Sequence, residues 1–236
     1  MLEQFLAPSC TPRNLDLFLA RSAILRALQD TTRHFSGTLL DVGCGYMPYK
    51  PLVLAPPSRA TRYLGLDLEG STYDAKPDLR WDGNRIPLAE NAVDCALATE
   101  VFEHCPNPEI IMGETLRVLK PGSLLFFTIP FLWPLHDVPH DEYRYTPFAL
   151  ERHLRNSGFT QINLKALGGW DASLAQTIGL WVIRRPMSSR KRAILSRLAL
   201  PLIRYLARCD RLTGEFGEGL MITGLSGTAI KPLMKC

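Results

Sequence analysis

Leu39-Leu40-Asp41-Val42-Gly43-Cys44-Gly45 is a short apolar run, an acid, and two glycines flanking a small residue. Leu39, Leu40 and Val42 suit a strand covered on both faces, since neither side offers water a polar row. Gly43 and Gly45 remove the Cβ atoms that would block close approach of the backbone to a ligand, and glycine alone enters positive φ cheaply. The segment reads as a buried strand ending in a nucleotide-type binding turn, with an ordinary tight strand-to-helix turn as the plainer alternative. A dinucleotide fingerprint needs G-x-G-x-x-G/A. Its third position here is Pro48, after the bulky pair Tyr46-Met47. A nicotinamide or flavin cradle is therefore disfavoured, and no Gly-Lys-Ser/Thr follows to build a Walker-type phosphate loop.

Further along, Tyr63 to Leu68 (YLGLDL) is a second buried-strand pattern, ending in Asp67. An acid at the tip of a second strand can accept both hydroxyls of a ribose. Asp82 follows a third short apolar segment, where its carboxylate can accept from an exocyclic amino group. Ala92 to Leu97 predicts a fourth strand running into Thr99-Glu100-Val101-Phe102-Glu103-His104, with a helix opening at Pro106 to Pro108. Leu119 to Ser123 is a helix stop and turn, and Leu124 to Ile129 a fifth strand. Each acid alone reads as a solvated loop residue. A row of them at the carboxyl ends of successive strands is harder to call accidental, because open α/β sheets bind ligands at that edge.

The ordered set, LLDVGCG, YLGLDL, WDGNRIPLAENAVDCALATEVFEH and LRVLKPGSLLFFTIP, resembles the class I S-adenosylmethionine-dependent methyltransferases, in the branch acting on small molecules and glycans. The resemblance spans roughly Leu39 to Phe159. It implies a doubly wound, Rossmann-like, seven-stranded α/β sheet, mostly parallel with an antiparallel last strand, plus extra C-terminal helices. It implies S-adenosylmethionine as cofactor, its amino-acid end held by Asp41, Gly43, Cys44 and Gly45. Asp67 and Leu68 would take the ribose, Asp82 and Gly83 the adenine amino group. Thr99 and Glu100 would line the pocket floor and His104 would close it. Many members carry a third glycine where this chain has Met47.

At 236 residues, the chain suffices for one full α/β domain with some extra helix. It reads as a single methyltransferase domain, 1–236: an N-terminal lid helix (11–35), a cofactor-binding core (37–166), a basic helical insertion (172–211) and a last strand (219–232). Hydrophobic content of 46% and 21% charged residues are those of a soluble globular protein. The six cysteines show no C-x-x-C pair or metal-like spacing, and read as buried small hydrophobes in a reducing compartment. The N-terminal stretch lacks a basic leader with an apolar core, and no uncharged apolar run reaches the ~18 residues of a spanning helix. The expected location is cytoplasmic, with a peripheral place at the inner membrane face open.

Asn14 can cap a helix through Leu15, Phe18, Leu25 and Leu28 to about Arg33. A helix is expected over Pro147 to Asn156, then a sixth strand from Thr160 and a seventh near Leu220 to Ile230, which by the family likeness inserts antiparallel between the fifth and sixth. Of 27 basic and 23 acidic residues, nine basic and one acidic, Asp210, fall between Arg184 and Arg211, leaving 18 against 22 elsewhere. At ~100° per residue, Ile194, Leu195, Leu198, Ala199, Leu202, Ile203 and Leu206 share one side of a helix. Arg190, Arg197, Arg204 and Arg208 share the other, and Pro201 should kink it. Such a helix either packs its apolar face on the domain or lies on an anionic membrane. A nucleic-acid role ranks lower, because no stacking platform accompanies the charge.

Pro130 to Pro147 is a loop by its prolines, at the ligand-bearing edge and dense in titratable groups. Similar His-Asp-x-Tyr-Arg-Tyr-Thr-Pro loops occur in the branch linked to glycan and lipid-glycan modification. Methyl transfer from a sulfonium asks mainly for alignment. For a hydroxyl acceptor a base must take the proton: His136 or His140, with Asp137 or Asp141 orienting it. Tyr143, Arg144 and Tyr145 can bind a polar substrate, and Arg144 can instead pair with Glu142 or Asp141 to hold the loop. Two histidines four apart would ligate a metal from a helix, which Pro139 opposes, so no metal is expected. The expected activity is O-methylation of a small or carrier-linked acceptor, a glycan or lipid-linked molecule. Quinone C-methylation, amine N-methylation, a non-catalytic scaffold at a membrane and a nicotinamide oxidoreductase are the alternatives.

Overall fold

The computed structural model describes residues 3–70, 76–212 and 214–233, so Cys236 lies outside the described residues. The elements, in chain order, are α1 (Glu3–Leu6), α2 (Phe18–Thr32), β1 (Ser36–Val42), α3 (Lys50–Val53), β2 (Arg59–Leu68), β3 (Leu79–Trp81) and β4 (Val93–Thr99). A 3-10 turn (Phe102–His104), α4 (Pro108–Val118), β5 (Leu119–Pro130), α5 (Pro147–Asn156), β6 (Thr160–Ala166), α6 (Trp170–Arg184), α7 (Ser189–Cys209) and β7 (Gly224–Ile230) follow. The seven strands form one sheet in the order β3-β2-β1-β4-β5-β7-β6. All are parallel except β7, which pairs antiparallel with β5 and β6. This is the doubly wound, Rossmann-like arrangement with one antiparallel strand that the sequence resemblance implied.

Period-two alternation sorts the central strands into two cores. Leu40, Val42, Ala96, Ala98, Leu125 and Phe127 face Ile111, Met112, Leu150 and Leu154 of α4 and α5. Leu39, Cys95, Leu97 and Phe126 face Ile24 and Leu28 of α2 and Val53 of α3. The strand order reverses between β1 and β4, and the carboxyl ends of those two strands flank the crevice where such sheets take ligands. The expected turn at Leu119 to Ser123 lies within β5: Val93 pairs with Leu119 and Cys95 with Leu124, so residues 120–123 bulge out of register.

Two expectations change. Helix α2 begins at Phe18, not after Asn14, whose side-chain oxygen accepts from the Thr11 N–H and hydroxyl and so ties up the preceding turn. The basic stretch is a hairpin of two helices. Asp210, its one acid, follows α7 and accepts from the N–H groups of Gly169 and Ala172 at the start of α6, satisfying orphan helix donors at 2.9–3.1 Å. Leu15 and Leu19 meet Ala175, Val182, Ile203 and Leu206 in a third core that fastens the hairpin to the N-terminal region. Helix α7 runs from Ser189 to Cys209 through Pro201. Only part of its apolar side turns inward: Ile203 and Leu206 are buried, while Ile194, Leu198, Leu202 and Tyr205 are 57%, 67%, 47% and 63% exposed. No helix among the described residues is long and apolar enough to cross a membrane.

Candidate functional site

Gly43 and Gly45 take φ of +66° and +47°, and Met47 takes +52°. The third glycine of the family pattern is thus replaced by a residue that adopts the same left-handed backbone. A Cβ on Gly43 would lie 2.7 Å from Val101 Cγ2, so the turn passes directly beneath the segment leaving β4. Cys44 is buried over Gly65, where an added Cβ would lie 2.9 Å from its sulfur; size is its role in the turn.

The acids line up along one rim. Asp41 is buried; its Oδ2 accepts from the Tyr63 hydroxyl and its Oδ1 has no partner. Burial raises its pKa to about 7, against the lowering effect of Tyr63 and with help from nearby Asp67. The same burial and the Asp41 charge raise the Tyr63 phenol. Asp67 is the penultimate residue of β2, with Oδ1 accepting from the Leu68 N–H at 2.8 Å. Leu68 adjoins Gly83, whose φ is +86°. Asp82 is exposed and accepts from the N–H groups of Asn84 and Arg85 at 2.8 and 3.1 Å; these bonds lower its pKa and fix the turn. Thr99 ends β4. Glu100 sits at φ +55° with a buried, unpartnered Oε1; burial raises its pKa, opposed by the charges of Arg21 and Arg144. Arg21 of α2 also lowers the Tyr49 phenol, which burial has pushed to about 12, so α2 reaches the cofactor edge.

Beyond the rim lies the loop 131–146. Glu103, fully buried in the 3-10 turn, anchors it: its backbone carbonyl accepts from the N–H groups of Glu142 and Tyr143 at 2.9 and 3.1 Å. Its carboxylate oxygens have no hydrogen-bond partner, and burial, then the neighbouring Glu100, raises its pKa well above the usual range. His104 Nδ1 donates to the His140 carbonyl at 2.9 Å, leaving Nε2 3.7 Å from Glu103 Oε1 and 3.9 Å from Asp137 Oδ2. The His104 and His136 rings lie 4.7 Å apart, edge to face. His136 Nδ1 is 3.3 Å from Asp141 Oδ2, and burial lowers its pKa.

Arg144 makes a two-pronged bond to Asp141 at 2.7 and 2.8 Å and donates to the Tyr143 carbonyl, holding the Asp141 pKa down to about 2. Tyr143 and Tyr145 donate to the carbonyls of Pro106 and Phe102. The Arg144 fork is therefore spent on the loop, and both hydroxyls on the wall beside it. Asp137, at φ +47°, and His140 are exposed. An open cavity of about 420 Å³ lies between Trp133, Pro134, Leu135, Glu142 and Tyr143. Trp133 meets the Arg184 guanidinium at 5.9 Å, so the loop adjoins the end of α6.

The sequence reading did not single out Tyr63 or Glu103. Tyr63 lies in an apolar strand pattern, where its hydroxyl carries no signal. Glu103 carries none either, because Thr99-Glu100-Val101-Phe102-Glu103-His104 is rich enough in polar groups for a solvated acid.

Residues 40–127 match a family model described as a methyltransferase domain. A protein of Mycolicibacterium paratuberculosis, named an uncharacterized methyltransferase, is 32% identical over 151 residues, 58% of each chain. One from Mycobacterium bovis with the same description is 30% identical over 131 residues, 53% of this chain and 47% of its own. The chain thus spans about half the length of the curated relatives it matches. Among solved structures, a SAM-dependent methyltransferase from Archaeoglobus fulgidus superposes with a TM-score of 0.55 at 17% identity, covering 97% of each chain. A [4+2]-cyclase, SpnF, superposes at 0.56 with 20% identity over 92% of this chain and 84% of its own. At such identities the likeness establishes the fold, and one fold hosts more than one reaction.

Proposed function

We infer that this chain, whose residues 40–127 match a methyltransferase-domain model, is a class I S-adenosylmethionine-dependent methyltransferase that moves a methyl group to an oxygen of a small or carrier-linked acceptor, a glycan or lipid-linked molecule. The observation that carries this reading is the row Asp41, Asp67, Asp82 and Glu100 at the carboxyl ends of β1 to β4, across the reversal in strand order. The residues fit the cofactor. Asp41 Oδ1 and Glu100 Oε1 are buried acceptors without donors, and an ammonium group beside a sulfonium supplies both donors and positive charge. The turn at Gly43 leaves no room for a side chain.

When bound, the cofactor supplies a methyl group already activated for displacement. The chain's share is to align the acceptor and handle its proton. Asp67 would accept from the ribose hydroxyls and the Gly43–Gly45 backbone would hold the amino-acid end. His136 and His140, with Asp137 beside them, are the groups on the acceptor side that can take a proton, and the Arg144–Asp141 pair holds their loop. The cavity beside Trp133 has room for a small polar acceptor or the exposed end of a carrier.

A lipid-linked acceptor is favoured by one further feature. Ile194, Leu198, Leu202 and Tyr205 form an exposed apolar stripe on α7, and Arg190, Arg197, Arg204 and Arg208 run beside it at the helical period. This is the shape of a surface that rests on anionic lipid, through residues 184–211. The test is incubation with methyl-labelled S-adenosylmethionine and cell extract, followed by fractionation. Label in the lipid or glycan fraction is expected. Label confined to protein or RNA overturns the substrate class. No label, with no binding of S-adenosylhomocysteine, overturns the activity.

A further inference from the structure

We propose that Glu103, His104 and His136 form a binding site for a divalent first-row transition-metal cation on the acceptor side of the crevice. One ligand atom from each lies within 4.8 Å of the other two. Ligand atoms around one such ion, each about 2.0–2.2 Å from it, sit roughly 3–4 Å apart, and Glu103 Oε1 and His104 Nε2 are already 3.7 Å apart. The His136 ligand atom lies within 4.8 Å of both, so a change of side-chain rotamer on its partly exposed loop closes the set.

Three features point to a cation. First, Glu103 is 0% exposed with neither carboxylate oxygen in a hydrogen bond. A buried acceptor pair without donors is costly, and a bound cation is one way a protein offsets that cost. The nearby guanidinium is not the missing partner, because the Arg144 fork is committed to Asp141. Second, the His140 carbonyl takes the Nδ1–H of His104. That bond fixes the tautomer whose Nε2 lone pair faces Glu103, as outer-shell carbonyls do for metal-bound imidazoles. Third, His136 Nδ1 is itself a buried polar atom without a hydrogen-bond partner, with the Asp141 carboxylate 3.3 Å away and tied in place by Arg144.

Two imidazoles and one carboxylate suit iron(II), cobalt, manganese or zinc better than magnesium or calcium, which prefer all-oxygen sets. Both histidine side chains are about a quarter exposed, at 23% and 26%, so the open coordination positions face the loop and the crevice. They would take oxygen donors, and an acceptor carrying adjacent hydroxyls or a hydroxyl beside a carbonyl is the class that fits. That last step rests on the methyltransferase reading, in which a metal-bound His136 leaves His140 to take the acceptor's proton; binding of the ion does not.

The test uses the full chain, reduced and freed of metal with chelator. Cobalt(II) is titrated with its visible absorption as readout, and zinc in competition with a chromogenic chelator, for wild type, Glu103→Gln and His136→Ala. We expect one ion per chain, no thiolate-to-cobalt charge-transfer band, and at least a tenfold loss of affinity in each variant. Metal should raise the Tm of wild type and of neither variant. Failure of the wild type to bind, unchanged affinity in both variants, or a thiolate band placing the ion on cysteine overturns the site. Calorimetry with S-adenosylhomocysteine on the same samples separates the two readings: cofactor binding without metal binding removes the metal site alone. Because His136 lies on a partly exposed loop, its variant remains informative if Glu103→Gln does not fold.

Discussion

Asp41 offers a sharp test of the buried rim. Its carboxyl titrates near 3.9 in an unfolded chain and near 7 in the fold, where burial is the main cause. Between those values the folded protein keeps a proton that the unfolded chain has released. Each pH unit upward then costs the folded state about 1.4 kcal/mol, and the whole interval about 4 kcal/mol. The contribution is fully present below pH 4, is lost as pH rises through 7, and is flat above 8. Asp41→Asn keeps the shape and can still accept from Tyr63, but does not titrate. Urea unfolding of both proteins from pH 4 to 8 should therefore show the variant gaining about 4 kcal/mol on the wild type, roughly 8–16 °C in relative Tm for a chain of this size. The gain should come with weaker binding of S-adenosylmethionine, since the variant offers its ammonium no negative charge. Wild-type binding at pH 6.5 should release a proton, seen as a buffer-dependent heat in calorimetry. A stability difference that stays constant from pH 4 to 8 would refute the reasoning, for Asp41 would then be ionised in the fold from the start.

Gly43→Ala forces a side chain into positive φ and against Val101. It should cost about 2–3 kcal/mol, lower Tm in a thermal melt, and abolish S-adenosylhomocysteine binding; a cofactor affinity within twofold of wild type would show the turn is not the cradle. His136→Ala and His140→Ala should each be compared with wild type in labelled-methyl turnover, where the proton-accepting residue should cost roughly 10²–10⁴ in rate while cofactor affinity holds. A residue whose loss leaves the rate unchanged is not the base. The double substitution Leu198→Glu and Leu202→Glu touches an exposed face, so Tm should move little. Co-sedimentation with anionic vesicles should be lost, and equal pelleting of both proteins would remove membrane contact.

The sheet was readable because its signals are local. Leu39, Leu40 and Val42 announce a strand buried on both sides, and the helix expected over Pro147 to Asn156 is α5, with Thr146 accepting from the Ala149 N–H as a cap that the sequence reading left out. Local signals also misled where a side chain had two uses. Asn14 is a good N-cap residue, yet its oxygen went to Thr11, and nothing in the neighbouring residues ranks one bond above the other. On α7 the helical period correctly put Ile194, Leu198 and Leu202 beside Leu195, Ile203 and Leu206. A wide apolar side does not say how much of it another helix will cover. That is set by α6 and by Leu15 and Leu19, far away in the chain.

The site divides along the same line. Asp41, Asp67 and Glu100 could be picked out because each sits at the carboxyl end of its own strand, and parallel strands must end at one rim. The cluster on the acceptor side obeys no such rule. Glu103 and His104 leave β4, His136 and His140 leave β5, and the two segments meet because β4 and β5 are neighbours paired residue for residue from Cys95–Leu124 to Thr99–Thr128. With that register fixed, the chain emerging from each strand starts at the same height, and the Glu103 carbonyl can accept from Glu142 and Tyr143. The spacing His136–His140 argued against a metal because it considered two histidines on one segment. His140 in the fold contributes its backbone carbonyl to His104, and the imidazole that faces His104 is that of His136. Ligand spacing along one segment is informative only when a single helix or hairpin supplies the ligands. Where neighbouring parallel strands supply them, the pattern to look for is a titratable residue within a few positions of each strand's carboxyl end.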